Sequence, residues 1–219
     1  MLEAERRWVR DLLPLACQRL SHFSMGLRHP TEIRLHANRR DFRRATQKRA
    51  KWLRAWAGYR VIHILSPRQW QMDTRDIRIA RLAHELAHVA LFQGFASEAQ
   101  AQKKAVPIWF SEGMASVIAE QGNRRMPMNE VCRRAADKNP LVERALWRRN
   151  HHILYGAAHA AVATLVERRG KSVISRVVKT HAASEQVRFA QTLQKVSGLD
   201  ANGLWRSLCN AGETSPRRR

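Results

Sequence analysis

The chain has 219 residues, of which 44% are hydrophobic, so it is long enough for one globular domain with a buried core. Its apolar runs fall short of the roughly 18 residues that a membrane-spanning helix needs, and its N-terminus lacks the apolar core of a secretory signal. These features exclude an integral membrane protein, and we expect a cytoplasmic location.

The formal net charge of +22 is unusual and favours acidic partners such as nucleic acid. Arginine exceeds lysine by 32 to 8, however, and a G+C-rich coding bias produces the same excess without any functional pressure. The charge therefore leaves a functional and a compositional origin open.

Three cysteines, Cys17, Cys132 and Cys209, lie far apart and form no CxxC motif. This spacing predicts neither a disulfide framework nor a zinc knuckle built from thiolates. We expect three reduced cysteines with structural roles.

The first part of the chain predicts helices and a short sheet. A helical segment over 3–21 is followed by an alternating strand pattern in TEIRLHA, residues 31–37. An amphipathic helix with a basic outer face is predicted over 40–57, and a second strand over 59–65. The densest positive charge lies here, because residues 34–60 hold ten basic side chains and one acidic side chain.

A further helix is predicted over 76–94, and it carries the sequence HELAH in its middle. Residues four apart are neighbours on a helix, so His84 and His88 can direct two imidazoles at one metal ion. Glu85 is rotated by about 100° and can accept a proton without ligating the metal. Chance gives such a motif in about one of forty chains of this composition. Two core histidines are the alternative, but an unpaired carboxylate is costly to bury in so apolar a segment.

A catalytic zinc site has three protein ligands and one open position. The segment PIWFSEGMASVIAEQG, residues 107–122, predicts a helix that carries Glu112 near its start. If this helix packs against the HELAH helix, Glu112 completes a set of two histidines and one glutamate. No histidine follows His88 at the spacing of metzincins.

The remaining sequence predicts a helical second lobe over 123–207, within a single two-lobed domain over 1–212. Helices are predicted on both sides of Pro140 and over a long apolar segment that ends at Gly170. A basic tail over 213–219 is predicted to be disordered. The expected architecture is α+β and zincin-like, with a short sheet and the HELAH helix in an N-terminal lobe whose boundary lies near residue 122.

Three segments together resemble the peptidase MA-like family of gluzincin metallopeptidases: LAHELAHVALF, PIWFSEGMAS and YGAAHAAVATLVERRGKSVISRVV. The resemblance covers roughly residues 31–207 and depends on its two zinc motifs, with 23 residues between His88 and Glu112. It implies that His84, His88 and Glu112 ligate one Zn²⁺ ion and that Glu85 is the general base.

The implied reaction is the hydrolysis of peptide bonds by a zinc-activated water, with Glu85 accepting the proton. Such a reaction also needs a donor to the developing oxyanion. Tyr155 is the first candidate for this catalytic role, and His152 and His159 lie on the same predicted helical face as alternatives. Core packing is an equally good interpretation of Tyr155, and a solvated or structural role is the more common one for the two histidines.

Three functional classes follow from these patterns. The first, which the zinc motifs favour, is an active zinc metallopeptidase with a peptide or protein substrate. The second is a nucleic-acid-associated basic protein, either a recruited protease or a non-catalytic zinc-binding module. It relies on the helix predicted over 40–57, but the sequence carries no recognised nucleic-acid-binding motif. The third is a pseudoenzyme that holds structural zinc, and the intact Glu85 argues against it.

Overall fold

The computed structural model describes residues 2–51, 53–66, 73–104, 106–136, 138–143, 150–184 and 187–213. Over these residues the chain is mostly helical and contains a three-stranded sheet, which confirms the expected α+β class. The chain divides into two compact units, Met1–Lys103 and Lys104–Arg219. No helix in the described ranges is both long enough and apolar enough to cross a membrane.

The first unit contains four helices and three strands over its described residues. In chain order these are α1 Leu2–Ser21, β1 Glu32–His36, α2 Arg39–Thr46, β2 Ala55–Ala57, β3 Val61–Leu65, α3 Arg75–Gln93 and α4 Glu98–Lys103. The strand order is β1-β3-β2, with β1 parallel and β2 antiparallel to β3. The central strand is buried because α2 and α3 pack on it, and Ile62 and Leu65 are fully enclosed. Both predicted strands are thus confirmed.

The amphipathic helix predicted over 40–57 is wrong for the described residues beyond Thr46, and Trp52 lies outside the described residues. Asn38 caps the start of α2 through its side chain, and Gln47 ends the helix in a left-handed conformation with φ of 57°. Trp56, on the apolar face of that predicted helix, lies instead in β2, where pairing with β3 satisfies the backbone. Apolar spacing along one segment cannot reveal a strand partner elsewhere in the chain.

The second unit is helical in all of its described elements. These are α5 Ile108–Ile118, a 3₁₀ turn Gly122–Arg124, α6 Met128–Ala135, α7 His151–Arg169, α8 Val173–Ala183, α9 Phe189–Ser197 and α10 Ala201–Glu213. The central helix α7 packs against α5, α6, α8 and α10, and it ends at Gly170 as predicted. The lobe boundary predicted near residue 122 falls at the 3₁₀ turn inside this unit. Residues 144–149, in the helix predicted after Pro140, and tail residues 214–219 lie outside the described residues.

Cys132 on α6 and Cys209 on α10 form a disulfide, so the expectation of reduced cysteines is wrong for these two. They are 77 residues apart in sequence, and the packing of α6 against α10 brings them together. A spacing rule cannot predict such a pair, because tertiary packing alone makes them neighbours. Cys17 on α1 is a free thiol, and burial raises its pKa.

Candidate metal centre

Helix α3 places the HELAH motif at its middle, as the sequence predicts. Thr74 caps the helix by accepting a hydrogen bond from the backbone N–H of Ile77. One face of α3 is buried in the first unit, which fixes its rotation; its residues include Leu82, Ala83, Leu86, Ala87 and Ala90. The two histidines are therefore held on a helix with little freedom to turn.

The imidazoles of His84 and His88 converge. Their Nε2 atoms lie 3.2 Å apart, and their ring planes are at 83° to each other. The ring of Phe92, one turn further on, stacks on His88 with a centroid separation of 6.4 Å. His88 is 9% exposed, so it lies at the edge of the core with its ring orientation fixed by packing.

Glu85 lies between the two histidines in sequence and is half-buried. Its position on the helix separates it from the converging imidazole nitrogens, and it does not belong to the set of residues whose ligand atoms come together. A half-buried carboxylate outside the ligand set can accept a proton without ligating a metal ion.

Glu112 lies on the second turn of α5, which begins after Pro107. The next residue, Gly113, lies directly against α7, because a Cβ atom there would be only 2.2 Å from the backbone oxygen of Ala158. Only glycine permits so close an approach of the two helices. Glu112 is thus a half-buried carboxylate on α5, directly before the residue at which α5 and α7 come closest.

His84, His88 and Glu112 each offer one ligand atom, and these atoms all lie within 4.8 Å of one another. The group could hold a metal ion. Two imidazole nitrogens and one carboxylate oxygen are a donor set that Zn²⁺ accepts in sites with three protein ligands. In the part of the chain that the structure describes, no second group of three such side chains meets this spacing.

Arg125, which follows the 3₁₀ turn, is a residue that the sequence analysis did not single out. Its Nε donates to Oγ of Ser116 at 2.8 Å, and its Nη2 donates to Oε1 of Gln121. The guanidinium carbon lies 5.0 Å from the ring centroid of Tyr155. Burial lowers the pKa of Arg125, and Tyr155 and Glu112 oppose this effect by favouring the charged form. The cation therefore lies within electrostatic reach of the third residue of the metal-binding group.

The oxyanion candidates Tyr155 and His152 lie on α7 in different surroundings. Tyr155 is half-buried, against the guanidinium of Arg125. His152 is exposed, and its ring packs against that of His151 with a centroid separation of 4.1 Å. Of these two, Tyr155 is the side chain that shares a cluster with Arg125.

The third candidate, His159, forms a hydrogen bond with Ser116 of α5, and its Nδ1 lies 3.0 Å from the serine Oγ. Burial, followed by the charge of Arg125, lowers the pKa of His159 to about 4. The imidazole is therefore neutral at pH 7. Its Nδ1 is engaged within the protein, which favours a structural role over oxyanion binding.

Comparison of the chain with protein-family models, with curated proteins and with solved structures found no match. The resemblance to peptidase MA-like gluzincins thus rests on the HELAH and PIWFSEG motifs themselves.

Proposed function

We propose that the chain is a zinc-dependent metallopeptidase of the gluzincin type, with His84, His88 and Glu112 as the ligands of one Zn²⁺ ion. The observation that carries the proposal is the convergence of their three ligand atoms within 4.8 Å. The separation of 3.2 Å between the imidazole Nε2 atoms also agrees with the roughly 3.3 Å expected for two nitrogens on a tetrahedral zinc. Three protein ligands leave a coordination position for chemistry.

A bound Zn²⁺ would supply Lewis-acid activation of the attacking water and of the scissile carbonyl. Glu85 takes a proton from that water as its oxygen attacks the carbonyl carbon. Glu85 then gives the proton to the amine nitrogen as the carbon–nitrogen bond breaks. This role suits Glu85 because it is half-buried next to His84 yet outside the ligand set.

Tyr155 is the proposed hydrogen-bond donor to the oxyanion. Its cluster with Arg125 supports this assignment, because the same guanidinium interacts electrostatically with Glu112. His152 is less suited because it is exposed, and His159 because its Nδ1 is engaged with Ser116. As part of the same proposal, α3 and the three-stranded sheet form the zincin-like part of the fold.

The test compares the wild type with Glu85→Gln and with a matched control, Glu98→Gln, which changes an exposed glutamate on α4. Zinc content is measured by mass spectrometry, and cleavage of a peptide library is followed with and without a chelator. The wild type should bind about one zinc and show chelator-sensitive cleavage.

Glu85→Gln should retain zinc but lose about 10³-fold in turnover, because it lacks the proton acceptor, while Glu98→Gln should behave like the wild type. Undiminished turnover in Glu85→Gln would refute the assignment of the base. A wild type that binds zinc but cleaves nothing would support the pseudoenzyme.

A nucleic-acid-associated role is the alternative proposal, supported by the net charge of +22. The continuous basic helix on which it depended is shorter than predicted, because α2 ends at Thr46 and none of the described residues between Thr46 and β2 is helical. The charge is also spread over the whole sequence. The zinc-site geometry therefore makes the peptidase the better-supported function.

A further inference from the structure

We propose that Arg125 is a substrate-binding residue that holds a carboxylate of the peptide close to the turn of α5 that carries Glu112. The inference rests on the proposed peptidase function, because it assigns a substrate group to a residue near that site. Arg125 belongs to neither of the zinc motifs and takes no part in the proposed proton transfer.

The guanidinium of Arg125 is held in one orientation by groups inside the second unit. Ser116, which accepts from Nε, is fully buried, and Gln121, which accepts from Nη2, is 8% exposed. The ring of Tyr155 covers one side of the cation. His159 in turn fixes the hydroxyl of Ser116. A side chain oriented in this way loses little conformational entropy when it binds a ligand.

The charge of Arg125 has no direct ion pair among the residues that the structure describes. Among the described residues, no carboxylate lies within 4.0 Å of its nitrogens, and Nη1 makes no hydrogen bond to them. The side chain of Arg125 is half-buried, so part of it remains open to solvent. Partial burial of a cation without an anion is costly, and binding an anion recovers that cost.

The distance along α5 suits a peptide carboxylate. Ser116 lies one helical turn after Glu112, a separation of about 5 to 6 Å. One residue of extended peptide spans about 3.3 to 3.6 Å, so a carboxylate one or two residues from the cleaved bond can reach Arg125. The planar guanidinium matches a carboxylate in geometry and charge. The group is either the α-carboxylate of the chain end or the side chain of an aspartate or glutamate.

The experiment uses peptides in matched pairs, with the same sequence ending as the free acid or the amide, and with glutamate or glutamine next to the cleaved bond. The enzymes are the full-length wild type, Arg125→Gln, Arg125→Lys and the control Arg124→Gln, which removes an exposed charge from the neighbouring position. Zinc content and thermal unfolding of each variant show that site and fold are retained. Arg125→Lys keeps the positive charge and serves if Arg125→Gln does not fold.

The wild type should favour one member of a pair by about 10- to 100-fold in kcat/KM. Arg125→Gln should abolish this preference, Arg125→Lys should keep part of it, and Arg124→Gln should leave it unchanged. A preference for the free acid identifies the chain end as the ligand, and a preference for glutamate identifies a side chain. If Arg125→Gln and Arg124→Gln show the same preference as the wild type, the proposal is overturned.

A binding measurement separates this proposal from the peptidase itself. N-acetylglycine and its amide are titrated into the zinc-loaded proteins and followed by NMR. The acid should bind the wild type and Arg124→Gln more tightly than it binds Arg125→Gln, and the amide should not distinguish them. If the wild type cleaves no peptide, the peptidase proposal fails, and this comparison still decides whether Arg125 binds carboxylates. Equal binding of the acid to all variants would overturn the role of Arg125.

Discussion

The hydroxyl oxygen of Ser116 lies 3.0 Å from Nδ1 of His159, and the same oxygen accepts the Nε hydrogen of Arg125 at 2.8 Å. Since the serine oxygen accepts from arginine, its own hydrogen is free to point at the imidazole, and only an unprotonated Nδ1 can accept it. The hydrogen bonds through which Ser116 holds Arg125 therefore require His159 in its neutral form. Protonation of His159 at low pH removes the acceptor of the hydrogen bond from Ser116.

This relationship predicts a pH dependence of stability. The pKa of His159 is about 4 in the folded chain, against 6.5 for the free side chain, so between these values the unfolded chain binds a proton that the folded chain does not. The free energy of unfolding should then rise as pH increases from 4 to 6.5 and level off above. The shift corresponds to at most about 3 kcal/mol, and less in practice because the ring is only half-buried.

Chemical denaturation between pH 4 and 7.5 measures this dependence. His159→Gln keeps an acceptor for Ser116 but does not titrate, so its pH slope should be flatter than that of the wild type. His152→Gln, at an exposed position on the same helix, serves as the control. An identical slope in the wild type and His159→Gln would show that the burial of this histidine does not govern acid stability.

Replacing Glu112 tests the third metal ligand. Glu112→Ala removes the carboxylate oxygen that lies within 4.8 Å of the two imidazole nitrogens. The affinity for zinc should therefore fall by more than about 100-fold. Competition with a chromophoric chelator measures it, with Glu98→Ala as the control. Glu112→Gln is a weaker test because its amide oxygen can still ligate. Zinc affinity that is undiminished in Glu112→Ala would exclude this residue as a ligand.

Sequence patterns predicted those features that depend on one helix at a time. The spacing of His84 and His88 needs only helix geometry, and the apolar run that ends at Gly170 gives α7 because so much of that helix is buried. The proposed ligand Glu112 was found through its own motif. Each of these features can be predicted locally as a position on its own helix, whereas the meeting of Glu112 with His84 and His88 depends on tertiary structure.

The features that sequence could not predict depend on packing between distant segments. Pairing with β3 turns the residues around Trp56 into a strand, against their helical spacing. Arg125 is oriented by Ser116 on α5 and lies against Tyr155 on α7, and the charged residues around it in the sequence do not distinguish it from Arg124. Both are consequences of tertiary structure that apolar periodicity does not encode.

The disulfide between Cys132 and Cys209 should be detectable and stabilising. Under non-reducing denaturing conditions a thiol assay should find one reactive cysteine, Cys17, and three after reduction. Replacing both half-cystines by serine should lower the free energy of unfolding by about 4 kcal/mol in the chain-entropy model, because the bond closes a loop of 77 residues. Three reactive thiols without reductant would contradict the bond. Such bonds persist in oxidising compartments, which opposes the expected cytoplasmic location.

The last prediction concerns the positive charge on and after α2. If this surface binds nucleic acid, each neutralised phosphate releases counterions, so the logarithm of affinity must fall linearly with the logarithm of salt concentration. Five or six contacts would give a slope of roughly −5 for duplex DNA. The test variant neutralises five positions together: Arg40, Arg43, Arg44, Lys48 and Lys51.

The control variant neutralises five exposed arginines elsewhere: Arg6, Arg7, Arg10, Arg124 and Arg176. We expect weak binding that both variants reduce equally, because the arginines are spread through the chain and α2 ends at Thr46. A salt titration of the wild type and both variants measures this. A selective loss in the first variant, with a shallower salt slope, would contradict the compositional origin of the charge and establish that this surface binds nucleic acid.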